Sequence, residues 1–97
     1  MKWAAVIEYL QDPVVVQAHR PAHRAYLTSL IDTGKLACSG PFLDDYGALI
    51  VYEAETAEAA EALLRGDPFH AAGVFLRWTM RPWKMIFANS QLLMPAV

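Results

Sequence analysis

The sequence predicts an α+β fold in which a four-stranded antiparallel sheet carries two helices on one of its faces. Three observations predict it. Four short runs are rich in β-branched and aromatic residues. Two stretches with apolar residues at helical spacing, each closed by a glycine, separate the first run from the second and the third from the fourth. The second and third runs are joined only by a short polar connection, Asp44-Asp45-Tyr46-Gly47, which makes them an antiparallel hairpin.

The elements follow in order. Trp3 to Leu10 reads as a strand, with Trp3, Ala5, Ile7 and Tyr9 on one side and Ala4, Val6, Glu8 and Leu10 on the other. Both sides are largely apolar, so the strand is expected to be central. Asp12-Pro13 is a start signal for a short helix or turn through Val14, Val15 and Val16, three β-branched residues in a row. The main first helix is expected to open at Pro21, which suits the first helical position because its missing N–H has no partner there. That places His23 in the first turn. Leu27, Leu30 and Ile31 form the buried stripe, and Gly34 ends the helix.

Lys35 to Phe42 reads as the second strand, its pairing fading at Ser39-Gly40-Pro41 because proline cannot donate to a ladder. Ala48 to Glu53 is the third strand. Thr56 is the expected N-cap of the second helix, with Glu58 and Glu61 near its positive end, Ala60, Leu63 and Leu64 buried, and Gly66 as the stop. Asp67 to Ala71 reads as a tight turn opened by Asp67-Pro68. Val74 to Met80 is the fourth strand, interrupted by Pro82, with Trp83 to Ala88 as a further edge strand or arm. The order β-α-β-β-α-β is that of the ferredoxin-like fold. One domain is expected over residues 1–88 and a tail without periodicity over 89–97, a segment suited to gripping a partner subunit.

The chain of 97 residues is 56% hydrophobic and 19% charged. A chain this short has a high surface-to-volume ratio, so part of its apolar surface is expected to be covered by a second copy. Two sheets facing each other across a dimer axis would cover the face without helices, so a homodimer or higher homo-oligomer is expected. The formal net charge of -2, with no basic run, excludes a nucleic-acid footprint. Glu8 interrupts the first apolar run too early for a signal peptide or membrane span, so a cytoplasmic location is expected. The single cysteine, Cys38, forms neither an internal disulfide nor a metal cluster, and is read as a small buried apolar group.

No Gly-rich phosphate loop, zinc-ligand spacing or Gly-x-Ser-x-Gly elbow is present, and no metal or cofactor is expected. What remains for chemistry is His23 and a carboxylate able to reach it. Asp67 is the best candidate, although spacing alone does not establish the contact. Arg20 could hold a substrate carboxylate, and Ser39 with the backbone near Gly40 could bind an oxyanion. Read from residue type alone, His23 is a polar residue at a helix start, Asp67 caps its own turn, and His70 is the rival imidazole. Trp3, Trp78 and Trp83 read as core or interface residues, and Tyr26 as a packing residue, a hydroxyl near the pocket being the lesser alternative.

Arg20-Pro21-Ala22-His23, Gly34-Lys35-Leu36, Ser39-Gly40-Pro41, Asp67-Pro68-Phe69 with Ala72-Gly73-Val74, and Pro82-Trp83 occur in an order that resembles the YciI-like family. That family belongs to the dimeric α+β barrel superfamily, which also holds muconolactone isomerase. The resemblance runs from the first strand to about Phe87. It implies a His–Asp dyad at His23 and Asp67; Arg20, Ser39, Gly40, Pro41 and Phe69 are expected around the substrate. One branch of the family is similar to a dehydrochlorinase of chlorinated hydroxyhydroquinones. Where some relatives carry a longer loop, this chain has the short connection Asp44 to Gly47. The implied activity is cofactor-independent proton transfer, by elimination, dehydrochlorination or isomerisation, on a small aromatic or lactone substrate. The alternatives are a non-catalytic barrel that binds a small ligand or partner, and a haem-handling or oxygenase role, which the lack of a second convincing pocket histidine disfavours.

Overall fold

The computed structural model describes residues 1–95. The chain runs β1 (Lys2–Tyr9), α1 (Pro13–Asp32), β2 (Leu36–Pro41), β3 (Gly47–Glu53), α2 (Ala57–Arg65), α3 (Pro68–Ala71) and β4 (Phe75–Trp83). The strands form one antiparallel sheet in the order β2-β3-β1-β4, which is the ferredoxin-like α+β arrangement. As the alternation in β1 requires, Trp3, Ala5, Ile7 and Tyr9 are buried on the face that the helices cover. Ile50, Tyr52, Leu30, Leu64 and Val74 complete that core with them. On the opposite face Val6 and Leu49 remain 48% and 39% exposed.

The first helix differs most from expectation. It does not open at Pro21. Asp12 is the N-cap, its carboxylate accepting from the Val14 and Val15 N–H groups, and one helix of 20 residues continues from Pro13 through Pro21 to Asp32. The cap and the buried stripe of Val16, His23, Leu27 and Leu30 outweigh the poor helix propensity of the three valines. Pro21 is accommodated on the exposed side, at the loss of its hydrogen bond to Gln17. His23 therefore lies in mid-helix, away from the free amides of a first turn. Gly34, at φ +72°, ends the element as its position suggests.

Three further corrections concern the later elements. Asp67 to Ala71 is more than a turn: Asp67 caps the short helix α3, and Pro68 occupies its first position. Pro82 does not interrupt β4, which continues to Trp83. The strand lies at the sheet edge, where a proline leaves ladder pairing intact. Residues 84–88 consequently form no additional strand, and a turn follows at 90–93. The expected tail extends to 97, and its last two residues lie outside the described residues. Cys38 is exposed, not buried, because β2 is the opposite edge strand. Among the described residues no helix is long and apolar enough to cross a membrane.

Candidate active site

Two helices converge on His23. On α1 the positions Val16, Arg20, His23 and Leu27 share the stripe that faces the sheet, so the imidazole is drawn inward and is only 7% exposed. Gly66 ends α2, and Asp67 begins α3 directly against α1. The Asp67 carboxylate is fully buried. One of its oxygens accepts the Phe69 N–H at 2.9 Å, which is the capping bond of α3. Both oxygens also lie 2.8 Å from His23 Nδ1. The cap that starts the short helix is thus the carboxylate that holds the imidazole.

These contacts assign the tautomer. A carboxylate oxygen bonded to an amide and an imidazole acts as an acceptor, so Nδ1 carries the hydrogen and the lone pair of neutral His23 is on Nε2. The Phe69 ring lies flat against the imidazole, with centroids 4.0 Å apart and planes 11° apart, and Phe75 meets it edge-on at 6.1 Å. Ring rotation is therefore blocked by packing as well as by the hydrogen bond.

Beside the imidazole is a cavity of about 230 Å³ between α1 and the β2 edge of the sheet. Arg20, Ser39, Gly40, Pro41 and Phe69 all line it with His23, whereas Asp67 lies behind the imidazole. Among the described residues Arg20 makes no ion pair with an acidic side chain, and it also lines a second cavity of about 340 Å³ at the start of α1. Tyr26 packs against the core as expected; its hydroxyl donates to the Leu63 carbonyl at 2.7 Å, and the residue does not line the cavity. His70 faces away, its ring edge-on to Trp78 at 5.7 Å. Among the described residues no three His, Cys, Asp or Glu side chains cluster to hold a metal ion.

Residue reading alone passed over two polar members of this cavity, Tyr9 and Arg24. Tyr9 was legible as the last inward position of β1. Arg24 lies on one face of α1 with residues 20, 23 and 27, a spacing of i, i+3, i+4 and i+7 that could have found it. Burial, with the Asp67 charge adding to it, pushes the Tyr9 phenol up to about 12.

Comparison with known proteins matches the fold and the family. A similar solved structure is that of the 5-chloro-2-hydroxyhydroquinone dehydrochlorinase TftG from Burkholderia phenoliruptrix AC1100, in complex with 2,5-dihydroxybenzoquinone. Its TM-score is 0.76 at 28% identity, over 87% of this chain and 94% of that one. The proteins named YciI of Escherichia coli O6:H1 and Shigella flexneri are each 38% identical over 78 residues, covering 70% of this chain and 80% of theirs. The model of the YCII-related domain matches residues 1–84. By sequence and by fold, the chain belongs to the YCII-related family.

Proposed function

We propose that this protein is a small acid–base enzyme in which His23 exchanges a proton with a substrate held in the adjoining cavity. The observation that carries the reading is the pair of 2.8 Å contacts between Asp67 and Nδ1, which leave Nε2 as the free basic nitrogen. Asp67 fixes the tautomer and stabilises the imidazolium once it forms. The proton moves to Nε2 from a carbon next to a carbonyl, or from a phenolic hydroxyl. The electron pair left behind either expels a leaving group such as chloride or shifts a double bond. Arg20 and the Ser39 hydroxyl hold the substrate's oxygens, the backbone at Gly40 closes the cavity, and Pro41 and Phe69 form its apolar walls. The activity of TftG, the similar structure, supports elimination from a small hydroxylated aromatic ring as the reaction class. Side chains alone carry out this chemistry, and positioned acid–base catalysis contributes roughly 10²–10⁴-fold in rate.

The working unit in this reading is a homodimer. Val6, Leu49 and Leu76 stand exposed on or beside the sheet face that no helix covers, a surface suited to a second copy of the same sheet.

The test is turnover of 5-chloro-2-hydroxyhydroquinone and related halogenated hydroquinones, with release of chloride as the readout. His23→Asn keeps a donor for Asp67 but lacks Nε2, and is expected to lower turnover at least about 10²-fold. Wild-type turnover in both His23→Asn and Asp67→Asn would remove the dyad from the reaction. Binding of these compounds without turnover would make the protein a ligand-binding barrel instead.

A further inference from the structure

Three tyrosines enter the layer between the sheet and α1, and their hydroxyls meet different surroundings. That of Tyr26 is bonded to the Leu63 carbonyl. That of Tyr52 is sealed in the core without a partner. Tyr9 is different from both. Its ring is fixed in the aromatic cluster, edge-on to Phe69 at 5.4 Å and stacked with Phe75 at 6.0 Å, and it lines the same cavity as His23. Among the described residues its hydroxyl has no hydrogen-bond partner, and it is not sealed off as that of Tyr52 is. A phenol rigidly held at a cavity wall, with an unused donor, is arranged to bond whatever fills the cavity. The charges of Asp67 and Arg20 both reach it.

We propose that Tyr9 contacts the substrate directly, its O–H donating to the oxygen that becomes anionic when His23 removes a proton. The inference rests on the acid–base reading above and deepens it by naming the group that holds the enolate or phenolate oxygen. In that step a C–H or O–H bond of the substrate breaks and the proton goes to Nε2. The electron pair is drawn onto the substrate oxygen. The Tyr9 proton stays on Tyr9 as a hydrogen bond to that oxygen. The raised pKa of the phenol keeps it a donor throughout the neutral range.

The probe is 2,5-dihydroxybenzoquinone, whose ionised hydroxyls present enolate oxygens near neutral pH. Titrated into the intact protein and followed by its visible absorbance, it is expected to bind Tyr9→Phe roughly 10- to 100-fold more weakly than wild type, as for loss of a bond to a charged group. Phe retains the ring packing, and a thermal melt checks that the variant is folded. In wild-type protein labelled at the tyrosine ζ carbons, the Tyr9 resonance is expected to shift on saturation, which needs no variant at all. Equal affinity in Tyr9→Phe, an unmoved Tyr9 resonance, or no binding to wild type at millimolar probe would each overturn the inference. Turnover by the His23 variants is measured separately. Loss of the Tyr9 contact leaves the dyad standing, and full turnover in both His23→Asn and Asp67→Asn removes the dyad while the Tyr9 contact is still read by binding.

Discussion

At the scale of single residues, Asp67 has two duties, and its variants should separate them. In Asp67→Asn the amide oxygen can still accept from the Phe69 N–H. Its NH2 then faces Nδ1 and draws the imidazole hydrogen to Nε2, which is the wrong nitrogen for a base. Turnover is expected to fall on the order of 10²–10⁴-fold while α3 persists by circular dichroism. His23→Ala instead leaves a fully buried carboxylate without its main partner, and is expected to cost about 3–5 kcal/mol of stability in urea unfolding. Tyr52→Phe removes a buried hydroxyl that bonds nothing, so it is expected to be neutral or to stabilise by about 1 kcal/mol. The two buried phenols also set an alkaline limit. Burial pushes Tyr9 up to about 12 and Tyr52 upward as well, so the unfolded chain ionises first. The contribution of these two phenols is whole below pH 10 and is expected to decline as pH rises from there towards 12, with phenolate absorbance from these rings appearing only as the fold opens. His23 and Asp67 were visible in the sequence as residue types and as family motifs. Their contact was implied by the motifs but not by spacing, because 44 residues separate them and nothing local fixes how α3 folds back on α1.

At the scale of elements, strand alternation, the Thr56 cap and the glycine stops were legible because each is a local signal with one physical meaning. Pro21 was not, because a proline fits the first turn of a helix as well as its exposed interior, and only the Asp12 cap together with the Val16 contact distinguishes the two. Pro21→Ala is expected to stabilise the protein, by up to about 3 kcal/mol, in thermal or urea unfolding. Gly47, by contrast, is a close-approach position: a Cβ there would run into the Ile7 carbonyl of the paired strand, which cannot move aside. Gly47→Ala is expected to cost about 1–3 kcal/mol, measured the same way. The ends of β1 and β3 are joined by Lys2 Nζ at 2.6 Å from Glu53. That hydrogen bond holds the Glu53 carboxyl below its ordinary value, so its stabilisation is present above pH 4.5 and is lost as pH falls through the depressed value. Both side chains are partly exposed, so the effect is below about 1 kcal/mol. The difference in melting temperature between wild type and Glu53→Gln is expected to close between pH 7 and pH 3.

At the scale of the whole molecule, one face of the sheet is sealed by helices and the other presents Val6 and Leu49 to solvent. The apolar composition foretold an uncovered surface of this kind, but not its location, which depends on the strand order. If a second copy covers it, Val6→Lys places an unpaired charge at the interface and is expected to shift the protein to monomer in size-exclusion chromatography with light scattering. The cavity beside His23 lies on the helix side, so monomeric Val6→Lys is expected to bind 2,5-dihydroxybenzoquinone as wild type does. The proline within α1 has a consequence for motion across this architecture. With the amide ladder broken between Gln17 and Pro21, the amino-terminal turns of the helix can unravel without disturbing the half that Asp67 anchors. Deuterium uptake at residues 16–20 should therefore outpace that at 27–31, and Arg20, at the seam, would breathe at the cavity's edge while His23 stays fixed.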